Sequence, residues 1–490
     1  MFHKIFTAEQ IKQIDLQSIQ LQKITSEELM ERAATQLFKK MVKRINPQTE
    51  IFIFCGVGNN GGDGLVLARL FHQHNYEVNC LIVPFSNKTS PDFDVNLHRL
   101  MSLDIEVTIF DNNIKKIPRK AVIIDAIFGT GLTRPATGIA QKATALMNKS
   151  KAEVLSVDMP SGLYVDFSNS STDTVVESDM VYTFQSAKKS FFYVGNASKV
   201  KDFTVVNIGL SKSVMKQMPT NILYVTNQVT KMLKKRDKFA YKNTFGHALL
   251  VGGSYGMTGA MILSSRAALR IGAGLVSSFV PKSAYRIIQT AVPEAMTLTD
   301  KHAKRLTKIN PEKQFDAIGI GQGMGTHKDT VKAFAKFLKK IKKPMIIDAD
   351  ALNILAKHKK LLADIPKNSI LTPHIGEFKR LAGTWQNEDE KWQKLLAFAK
   401  QNKVIVVLKG AYTLISDGEF IYINPVANSA LATAGSGDVL TGIMTGLLAQ
   451  GYQAMEVALL GVYLHSKTAE KYIKKKQAYT MLASDIIEML

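Results

Sequence analysis

Apolar residues recur along this chain in two rhythms. Near the start the rhythm is helical. Thr7 to Gln10 and Thr25 to Glu28 each carry the spacing of a capping box ahead of an amphipathic run. In the second run Leu29, Met30, Ala33, Leu37, Met41 and Val42 fall on one face, the spacing of core packing. From Ile51 the rhythm changes to apolar runs of strand length that break into glycine or polar residues and restart as helical sequence: IFIFCGVGNNGGDGLVLARLF (51–71), AVIIDAIFGTGLTRP (121–135) and AEVLSVDMPSGL (152–163). Such runs are the mark of strands buried on both faces. The same grammar returns in HALLVGGSYGMTGA (247–260), with a helix around Met261 to Ile271, and in FDAIGIGQGMGT, PMIIDADALNIL, SILTPHIGEF and VIVVLKGAYTLIS. Strands alternating with helices predict an α/β fold of parallel sheets covered on both faces. After VVNIGL (205–210) the sequence turns polar with weak periodicity. With 490 residues, too many for one ordinary core, this predicts two domains, 1–215 and 225–490.

Composition narrows the class without naming the chemistry. Nearly half the residues are apolar and about a fifth charged, as in soluble globular proteins. No uncharged apolar run approaches bilayer length, and the N-terminus goes straight into polar helical sequence, so neither a membrane span nor a signal peptide is expected. Cys55 and Cys80 are the only cysteines, which excludes a disulfide framework and fits a cytoplasmic setting. The net charge of +22 raises nucleic acid as a partner. The lysines of 231–242, 332–343 and 471–476 are, however, interrupted by apolar residues at helical spacing, so solvated helix faces are expected instead.

The chemistry gathers where apolar runs end. Gly56, Gly58 and Gly61 satisfy G-x-G-x-x-G, which admits a hydride-transferring Rossmann enzyme. That fold wants an acid at the end of its second strand to hold the ribose, yet EVNCLIVPFSN ends in Pro84, Phe85, Ser86 and Asn87, and the glycine loop ends in Asp63. A plain dehydrogenase is therefore disfavoured. Asp125 and Asp158 close the next two runs, and three junctions of one grammar point to a shared pocket at the carboxyl edge of a sheet. In the second domain the same logic lines up Gly323, Asp348, Asp350, His374, Glu377, Lys409 and Asp438. Lys409, at the end of a buried strand, needs an anion, and nucleotide phosphate is favoured. Taken singly, Asp438 reads equally as a helix cap. After Gly435 and Gly437, at the positive end of a helix, it also has the place of a proton acceptor in phosphoryl transfer.

Together the ordered motifs NNGGDG, VDMPSG, HALLVGGS, LTPHIGEF, LKGAYT and GSGDVLTG resemble the bifunctional NAD(P)H-hydrate repair enzymes over nearly the whole chain. The resemblance implies a Rossmann-like epimerase domain followed by a ribokinase-like dehydratase domain. The substrate it implies is a reduced dinucleotide hydrated across a ring double bond, with a hydroxyl at C6. In the first domain it assigns Asn59, Asn60, Gly61, Gly62 and Asp63, the loop Gly129, Thr130, Gly131, Leu132, Thr133, Arg134 and Pro135, and Asp158 to the hydrate. Asn60, Asp125 and Ser161 are assigned to a potassium ion. In the second it assigns Ala260, Gly323, His374 and Asp438 to the hydrate, and Lys409, Gly410, Ala411, Tyr412, Thr413 and Gly437 to the adenine nucleotide. ADP is the implied phosphoryl donor, with magnesium bridging its phosphates, and Asp438 and Asp158 are the implied catalytic groups. Departures are local: 424–430 lacks the usual second glycine-rich turn, Ala434 replaces a frequent glycine, and Asn243 and Thr244 stand where glycine is common. A ribokinase-like small-molecule kinase with an N-terminal ligand-binding module, and an RNA-binding scaffold, are the rival readings. An assembly of identical subunits is expected.

Overall fold

Every apolar run singled out above forms a strand in the computed structural model, which describes all residues except 104, 112, 113, 115, 312 and 313. The chain divides after Thr220. One unit is Lys4–Thr220; the other is Asn221–Leu490 joined by Met1–His3. The polar stretch expected to be a connection contributes the strand Ile222–Val225, parallel to Ile421–Ile423. Four residues, only one of them fully buried, are too few to show a periodicity.

In the first unit seven parallel strands lie in the order Val107–Ile109, Val78–Val83, Ile51–Gly56, Val122–Ala126, Glu153–Val157, Met180–Phe184, Phe203–Val206. The order reverses between Ile51–Gly56 and Val122–Ala126, the crevice where open Rossmann-like sheets take ligands. The glycine run behaves differently from the loop expected of it. Only Val57 and Gly58 separate strand from helix, and Asn59–Gln73 is helical, so NNGGDG forms its first turns. The glycines serve close packing: a Cβ at Gly61 would lie 1.6 Å from the Gly56 carbonyl oxygen, and one at Gly64 would lie 2.7 Å from Cys55 Sγ. Only backbone fits there.

The second unit carries an eleven-stranded sheet. Six of its strands, from Met296–Thr299 across Leu275–Val280, His247–Val251, Ala317–Ile320, Ile346–Ile347 and Ile370–Leu371 to a seventh at Ile405–Leu408, are parallel. The sheet then departs from the all-parallel expectation: Leu414–Ser416 pairs antiparallel with both Ile405–Leu408 and Ile421–Ile423. The turns between these strands are too short for the helical crossover a parallel pair requires. The helix Ser436–Ala449 packs on Thr258–Arg270 so closely that a Cβ at Gly442 would lie 2.2 Å from the Ser264 carbonyl oxygen.

Candidate active sites

At the carboxyl edge of the first sheet Asp125 is fully buried. Its Oδ2 accepts from Ser161 N at 2.8 Å and Ser156 Oγ at 2.9 Å, and its Oδ1 accepts from Ser161 Oγ at 2.5 Å. Ser161 Oγ in turn accepts from Phe128 N at 2.9 Å, which ties together the two loops that follow Val122–Ala126 and Glu153–Val157. Burial pushes the Asp125 carboxyl up, and the bonds from Ser161 and Ser156 pull it back. Among the described residues no cationic side chain pairs with it. The Nδ2 of buried Asn60 has no hydrogen-bond partner, and a Cβ at Gly129 would come within 3.0 Å of Asn60 Oδ1. A buried carboxylate with neutral oxygens beside it is the donor set of a hard monovalent cation, so these residues fit potassium. Among the described residues no three His, Cys, Asp or Glu side chains gather as they would for a transition metal.

Asp158 follows the strand Glu153–Val157 in left-handed backbone, φ 61°. Its Oδ1 accepts from Lys188 Nζ at 2.7 Å, Phe184 N at 2.9 Å and Thr183 Oγ1 at 3.1 Å. Lys188 is completely buried and also reaches Thr183 Oγ1 and the carbonyls of Phe184 and Ser186. A buried lysine with a buried carboxylate and four oxygen partners is a fully satisfied ion pair, and removing either member strands the other. The sequence reading missed Lys188, although it ends a strand-to-loop junction as Lys409 does. Asp63 is buried within its helix, and its carboxyl is pushed well above the usual range by burial, with Asp158, Asp15 and Asp92 adding to it. The loop from Thr130 to Pro135 lies half-buried to exposed beyond Gly129.

In the second unit Gly435, φ 86°, precedes the helix Ser436–Ala449, and no side chain caps it. Asp438 stands in its first turn. Burial pushes its carboxyl up to about 6; Asp348 and Asp350 add to this and Lys409 opposes it. Asp348 Oδ1 accepts from Lys409 Nζ at 2.9 Å, while its Oδ2 accepts from Thr441 Oγ1 at 2.9 Å, one turn beyond Asp438. The anion that Lys409 meets in the protein itself is therefore Asp348. A Cβ at Gly437 would lie 3.5 Å from Lys409 Nζ and 3.7 Å from Asp348 Oδ2, so a side chain there would fill the gap beside this pair. Asp350 accepts from Gly325 N at 2.9 Å, and Gly323 sits in left-handed backbone against Met257. Ser264 Oγ bridges the carbonyls of Ala260 and Asp438, at 2.9 and 3.0 Å, which sets Ala260 beside the same helix start.

His374 and Lys409 lie side by side through a parallel bridge, with Lys409 N donating to Pro373 O at 2.9 Å. His374 Nδ1 caps its own helix by accepting from Gly376 N, and Glu377 returns the favour to His374 N at 2.8 Å. Glu377 is thereby occupied as a cap, and its Oε1 lies 3.6 Å from His374 Nε2, while the imidazole itself stays exposed. Gly410, Ala411, Tyr412 and Thr413 form the turn before Leu414–Ser416. Beneath the loop, buried His465 Nε2 lies 3.1 Å from both the hydroxyl and the carbonyl of Ser436. Burial pushes its pKa down to about 4, so it is neutral and donates to that carbonyl. Its position in mid-helix gave no sequence signal.

A family model described as NAD(P)H-hydrate dehydratase matches residues 248–490, and one described as YjeF-related protein N-terminus matches residues 26–190. The bifunctional NAD(P)H-hydrate repair enzyme of Moorella thermoacetica is 32% identical over 99% of this chain and 96% of its own length. That of Escherichia coli is 29% identical over 100% of this chain and 93% of its own. Among solved structures, an ADP/ATP-dependent NAD(P)H-hydrate dehydratase from Bacillus subtilis, co-crystallised with ATP and Mg2+, is 32% identical with a TM-score of 0.47, covering 53% of this chain and 93% of that one. The chain belongs to the family of bifunctional NAD(P)H-hydrate repair enzymes, an epimerase domain followed by a dehydratase domain.

Proposed function

We propose that the edge built by Asn60, Asp63, Asp125, Asp158 and Ser161 interconverts the R and S hydrates of NADH and NADPH, and that the Asp438 edge dehydrates the S form with ADP, yielding NAD(P)H, AMP and phosphate. The observation that carries this reading is Asp438 itself. It is a carboxyl poised near neutral pH in the first turn of an uncapped helix, with Lys409 close by. Hydroxide leaves poorly, so the C6 hydroxyl is first phosphorylated: Asp438 accepts its proton as the bond to phosphorus forms, and the ring nitrogen then expels phosphate. The amides of Gly437 and its neighbours receive the phosphoryl oxygens, and Lys409 can turn from Asp348 toward them. Asp348 and Asp350 add to the negative charge around Asp438 and Lys409 opposes it, an excess that would suit magnesium arriving with the nucleotide. In the first unit Asp125, Asn60 and Ser161 would hold a potassium ion, which would supply a fixed positive charge there.

Among the described residues no helix is long and apolar enough to cross a membrane. A cytoplasmic setting, an assembly of identical subunits and the absence of a nucleic-acid partner belong to the same proposal. The test offers purified protein the mixed hydrates with ADP or ATP and follows recovery of the reduced-nicotinamide absorbance. Recovery of the whole mixture, dependent on nucleotide, is expected. Phosphorylation of an unrelated alcohol with no recovery would instead favour the small-molecule kinase.

A further inference from the structure

A Rossmann sheet grips the ribose of its dinucleotide with an acid at the end of the second strand, and this chain has none there. Pro84 to Ser90 contains no carboxylate; an aromatic ring stands in its place. Phe85 is 36% exposed, although its backbone is fixed: Phe85 N donates to Val83 O at 2.9 Å, and Ser90 N donates to Val57 O at 3.0 Å, which closes the loop onto the neighbouring strand's end. The ring lies against the end of Ile51–Gly56, where a Cβ at Gly56 would come within 2.9 Å of Phe85 Cε1. It also meets the Phe128 ring, with centroids 4.6 Å apart and an interplanar angle of 48°. Phe128 is itself tied to the first site, since its N–H donates to Ser161 Oγ. A partly exposed aromatic pair thus spans the crevice at which the strand order reverses. Register sets its distance from the chemistry. Gly56 pairs with Val83, Cys55 with Ala126 and Asp125 with Ser156, so the loops carrying Phe85 and Asp158 leave the sheet at nearly one level, three strand spacings apart. At about 4.8 Å per spacing that is roughly 14 Å, too far for both residues to touch one ring but suited to the two ends of an extended dinucleotide. Between them Asn59–Gln73 begins without a side-chain cap at Gly58, which leaves its first amides for the pyrophosphate.

We propose that Phe85, backed by Phe128, stacks on the adenine ring of the hydrated dinucleotide and holds that end while C6 of the other ring sits at Asp158. This rests on the reading that the edge of Asp125 and Asp158 is the epimerase site. Adenine is the ring that fits. It is flat and aromatic on both faces, whereas C6 of the hydrated nicotinamide is tetrahedral and breaks the flat face of its ring. A stack needs no polar partner, so it holds the adenosine where no acid grips the ribose. With no carboxylate from Pro84 to Ser90, nothing in this loop repels a 2′-phosphate, and the hydrates of NADH and NADPH are held alike.

The test follows R-to-S conversion by the full-length protein, with the epimers resolved by chromatography and no nucleotide present, so that dehydration does not intervene. Two substrates are compared: NADPH hydrate, and the hydrate of reduced nicotinamide mononucleotide, which lacks the adenosine. Phe85→Ala is expected to raise KM for NADPH hydrate about tenfold, the scale of one lost base stack, with kcat within about threefold of wild type. On the mononucleotide hydrate its kcat/KM should match that of the wild type, since no base remains to stack. That arm also reports on the folding of the same unit, because a distorted edge would impair both substrates. Phe85→Trp should keep the low KM for NADPH hydrate, and Phe85→Leu should not. An unchanged KM in Phe85→Ala, equal losses on the two substrates, or a Leu variant as good as the Trp variant would make Phe85 a packing residue and overturn the proposal. A wild-type protein that epimerises neither substrate would instead remove the site on which the proposal rests.

Discussion

Asp438 concentrates at one residue the conflict between stability and function. Its folded-state pKa of about 6 lies above the ordinary 3.8 because burial and two neighbouring carboxylates disfavour the charge that the proposed proton transfer needs. Below pH 4 the group is protonated in both states and contributes nothing. As pH rises, the unfolded chain releases this proton first, so stability falls until about pH 6 and the penalty is fully present above it. Asp438→Asn should therefore raise the melting temperature at pH 7.5, by a free energy on the order of 1–3 kcal/mol, and leave it unchanged near pH 4. The same variant should lose roughly two to four orders of magnitude in dehydration while still binding nucleotide and hydrate. Near-normal turnover in the folded variant would sink its assignment as base, and an unchanged melting temperature would mean that its charge is not strained. At this scale the sequence was legible where a residue ended an apolar run. Asp125, Asp158 and Lys409 stand out that way, whereas Asp438 stands out by following Gly435 and Gly437 at a helix start. Lys188 comes three residues later than Lys409 does, after Gln185, Ser186 and Ala187, and His465 sits in a helix where nothing local marks a functional side chain.

At the scale of elements, polar and apolar patterning located helices and strands well but misjudged the glycines between them. NNGGDG reads as a loop because five of its six residues, two Asn and three Gly, are poor helix formers. It is helical because backbone must approach backbone there, which no local propensity reports. The lysine-rich segment was the clearer case. Lys328–Lys340 is a helix with Phe334, Phe337 and Leu338 buried and Lys332, Lys336 and Lys339 exposed. Ile341, expected in the same stripe, lies just beyond the helix and is only partly buried, since the helix stops at Lys340. A face of this kind carries charge without groups that read bases, so any nucleic-acid binding would come from counterion release alone. Changing Lys332, Lys336, Lys339 and Lys343 together to Gln should leave both repair activities within about twofold, since solvated side chains seldom matter for function or fold. Electrophoretic mobility at physiological salt should show no specific complex with either protein. A sequence-specific complex that survives such salt, or a collapse of repair in the folded variant, would make the basic surface functional.

For the whole molecule, the pattern along the chain foretold two α/β units and the polar interval between them, but it could not place the first three residues. A three-residue strand carries no period, and Phe2–Lys4 is placed only by its pairing with a sheet whose other strands begin at Ile222. Each unit has its own sheet, its own core and its own cluster of strand-end acids, so the two reactions should be separable by mutation. Asp158→Ala is the informative change, because it leaves every residue of Asn221–Leu490 untouched. It also strands Lys188, a fully buried ammonium, at a cost of about 3–5 kcal/mol to the first unit. Lys188→Met made together with Asp158→Ala removes the charge as well as its partner and should recover most of that stability without recovering epimerisation. Both variants should dehydrate the S hydrate with ADP at the wild-type rate, and both should consume the R hydrate only as fast as it epimerises in buffer. A mixture of hydrates would then disappear in two phases, the second independent of enzyme concentration. Loss of S-hydrate dehydration in the stably folded double variant would show that the two units do not work as independent catalysts.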